Sequence, residues 1–165
     1  MELRFDDQYI LVTGASRGIG EAIVRKFAES GANVILHYNS NQAKAEEIFK
    51  SLPKGNHYCF QADISDPKSV KELIDKIQRT IGRLDVLVNN AGVYEEVNLD
   101  TLNYEQWQNA WKRTIEPNLT GVSNLCFLAS RLMEENGGGR IINISSRGAF
   151  RGEPTAPAYG ASKAG

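Results

Sequence analysis

Tyr159 and Lys163 place a phenol and an ammonium four residues apart near the end of the chain, and a hydroxyl, Ser146, lies thirteen residues upstream of the phenol. In a helix that spacing puts Tyr159 and Lys163 on one face. A free phenol titrates near ~10 and is a poor acid or base at neutral pH, but a fixed cation a few ångströms away favours its ionised form. A tyrosine tuned in this way can exchange a proton with a carbonyl or alcohol oxygen. A serine nearby can donate a hydrogen bond to the same oxygen as it gains negative charge.

Such chemistry needs a scaffold, and the chain alternates in a way that supplies one. Short, apolar, β-branched runs at Tyr9 to Val12, Asn33 to Tyr38, His57 to Gln61, Asp85 to Asn89 and Arg140 to Ile144 read as five buried strands. Between them, Gly18 to Ser30, Gln42 to Leu52, Pro67 to Ile81 and a long stretch from Tyr104 to Asn136 carry helical spacing. Asp66 followed by Pro67 predicts an N-cap with proline at the first helical position, and Gly31, Gly82 and Gly137 follow helices where a left-handed residue is wanted. Pro117 has no N–H for the carbonyl of Arg113, so a kink is predicted inside the long helix beside Asn118. The pattern implies an α/β fold, a doubly wound parallel sheet in three α/β/α layers, with ligands at the carboxyl ends of the strands.

A glycine-rich turn stands at that place: Thr13, Gly14, Ala15, Ser16, Arg17, Gly18, Ile19 and Gly20 run from the first strand into the first helix. Glycines let backbone approach a pyrophosphate, and exposed N–H groups at a helix start offset its charge. The spacing is G-x-x-x-G-x-G, distinct from the G-x-G-x-x-G of many dinucleotide-binding proteins.

Taken together these segments resemble the short-chain dehydrogenases/reductases of the Tyr-x-x-x-Lys type, and among them most the 3-oxoacyl acyl-carrier-protein reductases. Thr13 to Gly20 resembles the family's cofactor turn, Asn89-Asn90-Ala91-Gly92 its motif after the fourth strand, Asn118 its helix asparagine, and Ser146, Tyr159 and Lys163 its catalytic set. The resemblance implies hydride transfer between a nicotinamide and a carbonyl or secondary alcohol. Tyr159 would be the general acid/base, Ser146 would steady the oxygen, and Lys163 would act on both phenol and nicotinamide ribose. Asn118 would help hold a water in a proton relay. The family's interval to the tyrosine selects Ser146, with Ser145 as the alternative on the opposite face of the strand. Gly14, Ser16, Arg17, Gly18, Ile19, Gly20, Asn90, Ala91 and Gly92 would hold the cofactor with Tyr159 and Lys163. Asp63 and Ile64 resemble the adenine-binding pair, although Asp63 reads equally as a loop acid.

The end of the second strand decides between cofactors. An NAD site usually has an acid there for the ribose 2′-OH, and a 2′-phosphate would repel it. This chain reads His37, Tyr38, Asn39, Ser40, with no Asp or Glu between Glu29 and Glu46. Arg17 in the glycine turn can fork onto a phosphate. NADP(H) is therefore expected over NAD(H), with Asn39 at the 2′ position. Arg147, Arg151 and Glu153 follow the serine and either touch substrate or are solvated. Trp107, Trp111, Leu125, Leu128 and Leu132 read as core or subunit-packing faces.

The bulk composition narrows the partners. The 165 residues, 41% apolar, fit one domain, residues 1–165. Nineteen basic and 20 acidic residues are dispersed to a net charge of −1, which predicts neither nucleic acid nor anionic membrane as a partner. The acidic start, Met1 to Asp7, and the lack of a long apolar run predict a cytoplasmic protein. Cys59, Cys126, His37 and His57 lack ligand spacing, so reduced thiols and no metal are expected. The resemblance further implies a carbonyl or alcohol substrate, which could be carried on an acyl carrier protein, and a homodimer or tetramer. It also implies that the last strand or strands of the family's sheet, and its substrate loop, have no counterpart before Gly165. Arg140 to Ile144 would then form an exposed apolar edge, and the tyrosine helix would lack the length to anchor itself. A nucleotide-binding fragment without turnover is the alternative, and a nucleotide-sugar epimerase a third.

Overall fold

The computed structural model describes residues 3–165; Met1 and Glu2, where the acidic start begins, lie outside the described residues. Five strands, β1 (Tyr9–Val12), β2 (Asn33–Tyr38), β3 (Tyr58–Gln61), β4 (Val86–Asn89) and β5 (Arg140–Asn143), form one sheet in the order β3-β2-β1-β4-β5. Every pairing is parallel, with Leu11 beside Ile35 on one side and Leu87 on the other. Side chains alternate across the sheet. Leu11, Ile35 and Leu87 enter one buried cluster; Ile10, Val12, Val34, Leu36, Val86 and Val88 enter a second. Both faces of the central strands are covered, which is why these strands read as unbroken apolar runs.

The helices are α1 (Gly18–Glu29), α2 (Gln42–Lys50), α3 (Pro67–Thr80), α4 (Tyr104–Ile115), α5 (Gly121–Glu135), α6 (Gly148–Arg151) and α7 (Pro157–Ala164). In α3 the Asp66 side chain accepts from Lys68 N, Pro67 opens the first turn, and Val70, Leu73, Ile74 and Ile77 form the buried stripe. Gly82 ends it at φ +74, and Gly31 and Gly137 take φ +89 after α1 and α5, as the sequence requires. Asn41 caps α2, and Asn103 with Gln106 forms a capping box on α4. Helix α1 differs: its N-cap, Arg17, makes no side-chain cap bond.

The break at Pro117 is a π-helical segment, Glu116–Thr120, between α4 and α5. Sequence foretells an interruption there because proline removes a hydrogen bond. The chain absorbs it by widening one turn, an arrangement common at functional sites. Asn118 thereby turns inward and is 5% exposed. Directly after the π segment, a Cβ on Gly121 would collide with the carbonyl oxygen of Ile64, so glycine lets α5 lie against the segment after β3.

Strand β5 is exposed along all four residues, including Ile141 and Ile142. The apolar edge expected from sequence is present. The expectation that the tyrosine helix lacks anchorage is corrected by tertiary bonds that propensity does not report. In α7 the Ser162 hydroxyl accepts from Asn118 Nδ2 (3.1 Å), Lys163 O accepts from Ser145 Oγ (3.2 Å), and Lys163 Nζ donates to Ile144 O (2.9 Å). Leu125 and Leu132 are core residues, whereas Trp107 and Trp111 are half-buried and pack against each other at a tilt of 52°, ring centroids 5.5 Å apart. No helix among the described residues is long and apolar enough to cross a membrane.

Candidate active site and cofactor cleft

The sheet order reverses direction between β1 and β4, so the segments leaving those strands diverge and open a crevice at their carboxyl ends. A cleft of about 590 Å³ lies there, lined by Gly14, Ser16, Arg17, Gly18, Ile19, Gly20, Asn39, Asp63, Ile64, Asn90, Ala91 and Gly92, with His37, Ser40 and Pro117 among their neighbours. Apart from Tyr159 and Lys163, every residue assigned to the cofactor from sequence meets in this space.

Thr13 holds the two glycine-bearing turns together. Its Oγ1 accepts from Asn90 N and Ala91 N, both at 3.0 Å, while Asn90 Nδ2 donates back to Thr13 O (2.9 Å) and Gly14 O (3.2 Å). Gly14 takes φ +64, and a Cβ there would lie 2.8 Å from Ala91 Cα, so the two backbones touch. Thr13→Val keeps the shape but leaves Ala91 N–H without an acceptor and Asn90 N–H with Val88 O (3.1 Å) alone. We expect it to lower stability by roughly 1–3 kcal/mol, read as a lower urea midpoint with an unchanged m-value.

The cleft suits a dinucleotide on structural grounds. A Cβ on Gly18 would meet nothing within 4 Å, so the turn is open on the cleft side, and the first amides of α1 have no side-chain cap. Open backbone and uncapped amides at a helix start accept phosphate. Asp63 lies at the end of β3 with Oδ1 accepting from Ser65 N (2.9 Å) and Ser65 Oγ (2.7 Å), so it shapes its own turn while lining the cleft.

The catalytic candidates flank this cleft. Asn118 Oδ1 accepts from Val93 N (2.8 Å), and its Nδ2 donates to Val93 O (2.9 Å) as well as to Ser162. Its side chain therefore locks the segment after Gly92 to α7. Lys163 is half-buried and its ammonium lies 5.9 Å from the Tyr159 ring centroid. Burial without a carboxylate partner pushes its pKa below the usual lysine value. Ser145 Oγ is turned to the α7 backbone, while Ser146 Oγ accepts from Gly148 N (3.2 Å). No hydrogen bond joins Ser146 to Tyr159 among the described residues.

Two neighbours escaped the sequence reading. The ring of Tyr94 packs edge-on against Tyr159, centroids 4.9 Å apart, on a segment fixed by the Glu95–Arg113 ion pair, by Val97 N to Thr155 O (2.7 Å) and by Thr155 Oγ1 to Glu96 (3.1 Å). His37 is the second. An aromatic two residues past the Asn-Asn-Ala-Gly motif was the only signal for Tyr94. Cys59 and Cys126 are free; burial pushes the Cys59 thiol up to about 11 and raises Cys126 as well, so neither is an activated nucleophile.

A parallel sheet with its crevice at the β1/β4 reversal, a glycine turn on one wall and a tyrosine–lysine helix beside it define a Rossmann-like α/β domain. Residues 8–165 match the family model of the short chain dehydrogenases, and the chain belongs to that family. It is 40% identical over 157 residues to the 3-oxoacyl-(acyl-carrier-protein) reductase FabG of Staphylococcus aureus strain Mu50, covering 94% of this chain and 62% of that protein. It is 37% identical over 160 residues to the corresponding reductase of Synechocystis, covering 96% and 63%. The crystal structure of a candidate short-chain alcohol dehydrogenase from Sinorhizobium meliloti 1021 superposes with a TM-score of 0.86 at 30% identity, over 100% of this chain and 64% of that one. The chain thus spans a little over three fifths of the length of the curated relatives it matches.

Proposed function

We propose that this chain carries the cofactor cleft and catalytic residues of an NADP(H)-dependent oxidoreductase acting on a carbonyl or secondary alcohol. The observation that carries the reading is the cleft at the β1/β4 reversal, in which the sequence-assigned cofactor residues other than Tyr159 and Lys163 converge on an open, uncapped start of α1. Backbone amides from Ser16 to Gly20 would hold the pyrophosphate, Asp63 and Ile64 the adenine, and Asn90 to Gly92 the nicotinamide side. The bound nicotinamide supplies or accepts the hydride.

In this reading Tyr159 Oη gives a proton to the carbonyl oxygen in reduction and takes it back from the alcohol in oxidation. Ser146 donates a hydrogen bond to that oxygen as it gains charge. Lys163, already tied to Ile144 O, lends positive charge to the phenol and reaches the ribose. Asn118 keeps Val93 and Ser162 in place, and the proton relay runs past it. The substrate class we assign is a 3-oxoacyl group, which the names of the relatives carry, delivered free or on an acyl carrier protein. The whole protein would be a cytoplasmic homo-oligomer with this single dinucleotide-binding domain.

NADP(H) follows from charge. Asn39, Ser40 and Asn41 line the cleft where an acid would select NAD(H), and Arg17 is exposed on the same wall. A charge-assisted bond to the 2′-phosphate contributes about 1.5–3 kcal/mol. Arg17→Ala is therefore expected to raise the NADPH Kd by roughly 10- to 100-fold and to leave the NADH Kd within a factor of about two; equal losses for both cofactors would remove the 2′-phosphate role. A second reading, nucleotide binding without turnover, is favoured by the exposure of β5. A panel of 3-oxoacyl thioesters with NADPH, followed by loss of reduced-cofactor absorbance, separates the two: consumption dependent on the thioester supports the oxidoreductase, and binding without consumption supports the second reading.

A further inference from the structure

His37 is 1% exposed at the carboxyl end of β2, and its contacts reach both walls of the cleft. On one side its Nδ1 stands 3.1 Å from Gly14 N, which can only donate, so Nδ1 must be an unprotonated acceptor. On the other side its Nε2 stands 3.0 Å from Ala62 O, which can only accept, so Nε2 must carry the proton. Each contact alone fixes the same tautomer. The backbone carbonyl of His37 also accepts from Ala15 N at 2.8 Å, so one residue holds the Gly14 and Ala15 amides of the glycine turn. Ala62 immediately precedes Asp63 and Ile64 on the far wall.

The wiring has a consequence for the turn. Gly14 N–H is taken up by the imidazole, and the amides left for an anion are those at the start of α1. The ring is also neutral: burial pushes its pKa down to about 4, so it brings no charge of its own beneath the phosphate site. A water could not substitute for it without room, and a smaller apolar side chain would leave both a buried N–H and a buried carbonyl without partners.

We propose that His37 is a positioning residue for the cofactor cleft: its bare Nδ1 fixes the conformation of the glycine turn, and the Nε2–H bond to Ala62 O holds the ring in the one tautomer that leaves Nδ1 free to accept. The assignment rests on the dinucleotide reading of the cleft.

The test compares three variants of the 165-residue chain with NADPH as probe. His37→Asn puts an amide oxygen on the same Cγ that bears Nδ1 and so keeps the acceptor for Gly14 N–H. His37→Gln keeps a distal donor for Ala62 O but not that acceptor, and His37→Leu keeps neither. We expect Asn to hold the NADPH Kd within about threefold of the parent, and Gln and Leu to raise it by roughly tenfold or more. Amide hydrogen exchange at Gly14 and Ala15 should speed up in Gln and Leu, and not in Asn, with or without cofactor. Should Leu fail to fold, the Asn and Gln pair carries the same contrast. In the parent chain, ¹⁵N shifts of the His37 ring should report a protonated Nε2 and a bare Nδ1 at neutral pH. Asn and Gln variants that behave alike in both readouts, or the opposite tautomer, would overturn the proposal. If the parent binds no nicotinamide cofactor the dinucleotide reading falls, while exchange at Gly14 and the ring tautomer still decide whether His37 fixes the turn.

Discussion

Tyr159→Phe is expected to lower turnover by about 10²- to 10⁴-fold, the usual worth of a positioned general acid or base, with the NADPH Kd within about threefold of the parent. The substitution removes one oxygen and keeps the ring. The ring is what the fold uses: Tyr94 packs on it edge-on and the Lys163 ammonium lies 5.9 Å from its centroid, and both contacts survive in phenylalanine. Circular dichroism and melting behaviour should therefore match the parent, so that the loss reads as chemistry. The assay is single-turnover oxidation of bound NADPH by a 3-oxoacyl thioester, in a form of the protein that turns it over. A variant retaining turnover within about tenfold would move the proton transfer to another group.

Gly20→Ala is expected to abolish cofactor binding and to destabilise the chain by several kcal/mol. A Cβ at Gly20 would collide with Gly14 O and stand 2.5 Å from Asn90 Nδ2 and 2.9 Å from Ala15 Cα. Two of those three neighbours are backbone, and the third is the amide that ties the β4 turn to the glycine turn. Nothing there can move aside without dismantling the cleft. Gly18→Ala is the control. It meets no atom within 4 Å, so its cost to the fold is only that of alanine at φ +57, about 1–2 kcal/mol. Denaturant midpoints of the two variants should differ sharply; equal stabilities would show that the close approach of β1 and β4 turns is not what Gly20 serves.

The contrast between these glycines shows what sequence can carry. That a glycine-rich turn follows β1 is visible in the spacing of Gly14, Gly18 and Gly20. Which glycine is needed for open space and which for a neighbour's backbone depends on Asn90 and Ala91, far along the chain beyond β4, and no local pattern reports that. The strands were legible because β1, β2 and β4 are buried on both faces and so appear as uninterrupted apolar runs. Helix starts at Asp66 and stops at Gly31, Gly82 and Gly137 were legible because caps and left-handed turns demand particular residues.

Pro117 marks the limit of that kind of inference. Proline dictates that a hydrogen bond is missing; it does not dictate that the chain widens into a π turn and aims Asn118 at Val93 and Ser162, which lie 25 and 44 residues from it. The anchoring of α7 was invisible for the same reason, since a short helix is marginal by propensity and is held here by side chains of Asn118 and Ser145. His37 reads in sequence as a histidine without ligand-spaced companions. Only the parallel register of β1, β2 and β3 puts Gly14 and Ala62 on its two nitrogens.

The most direct test of the account is a titration of the 165-residue chain with NADPH and, separately, NADH, following cofactor fluorescence. Saturable binding of both, tighter for NADPH and weakened selectively by Arg17→Ala, is the predicted result. Absence of saturable binding by either cofactor, in a chain shown to be folded, would contradict the assignment of the cleft between β1 and β4 as a dinucleotide site.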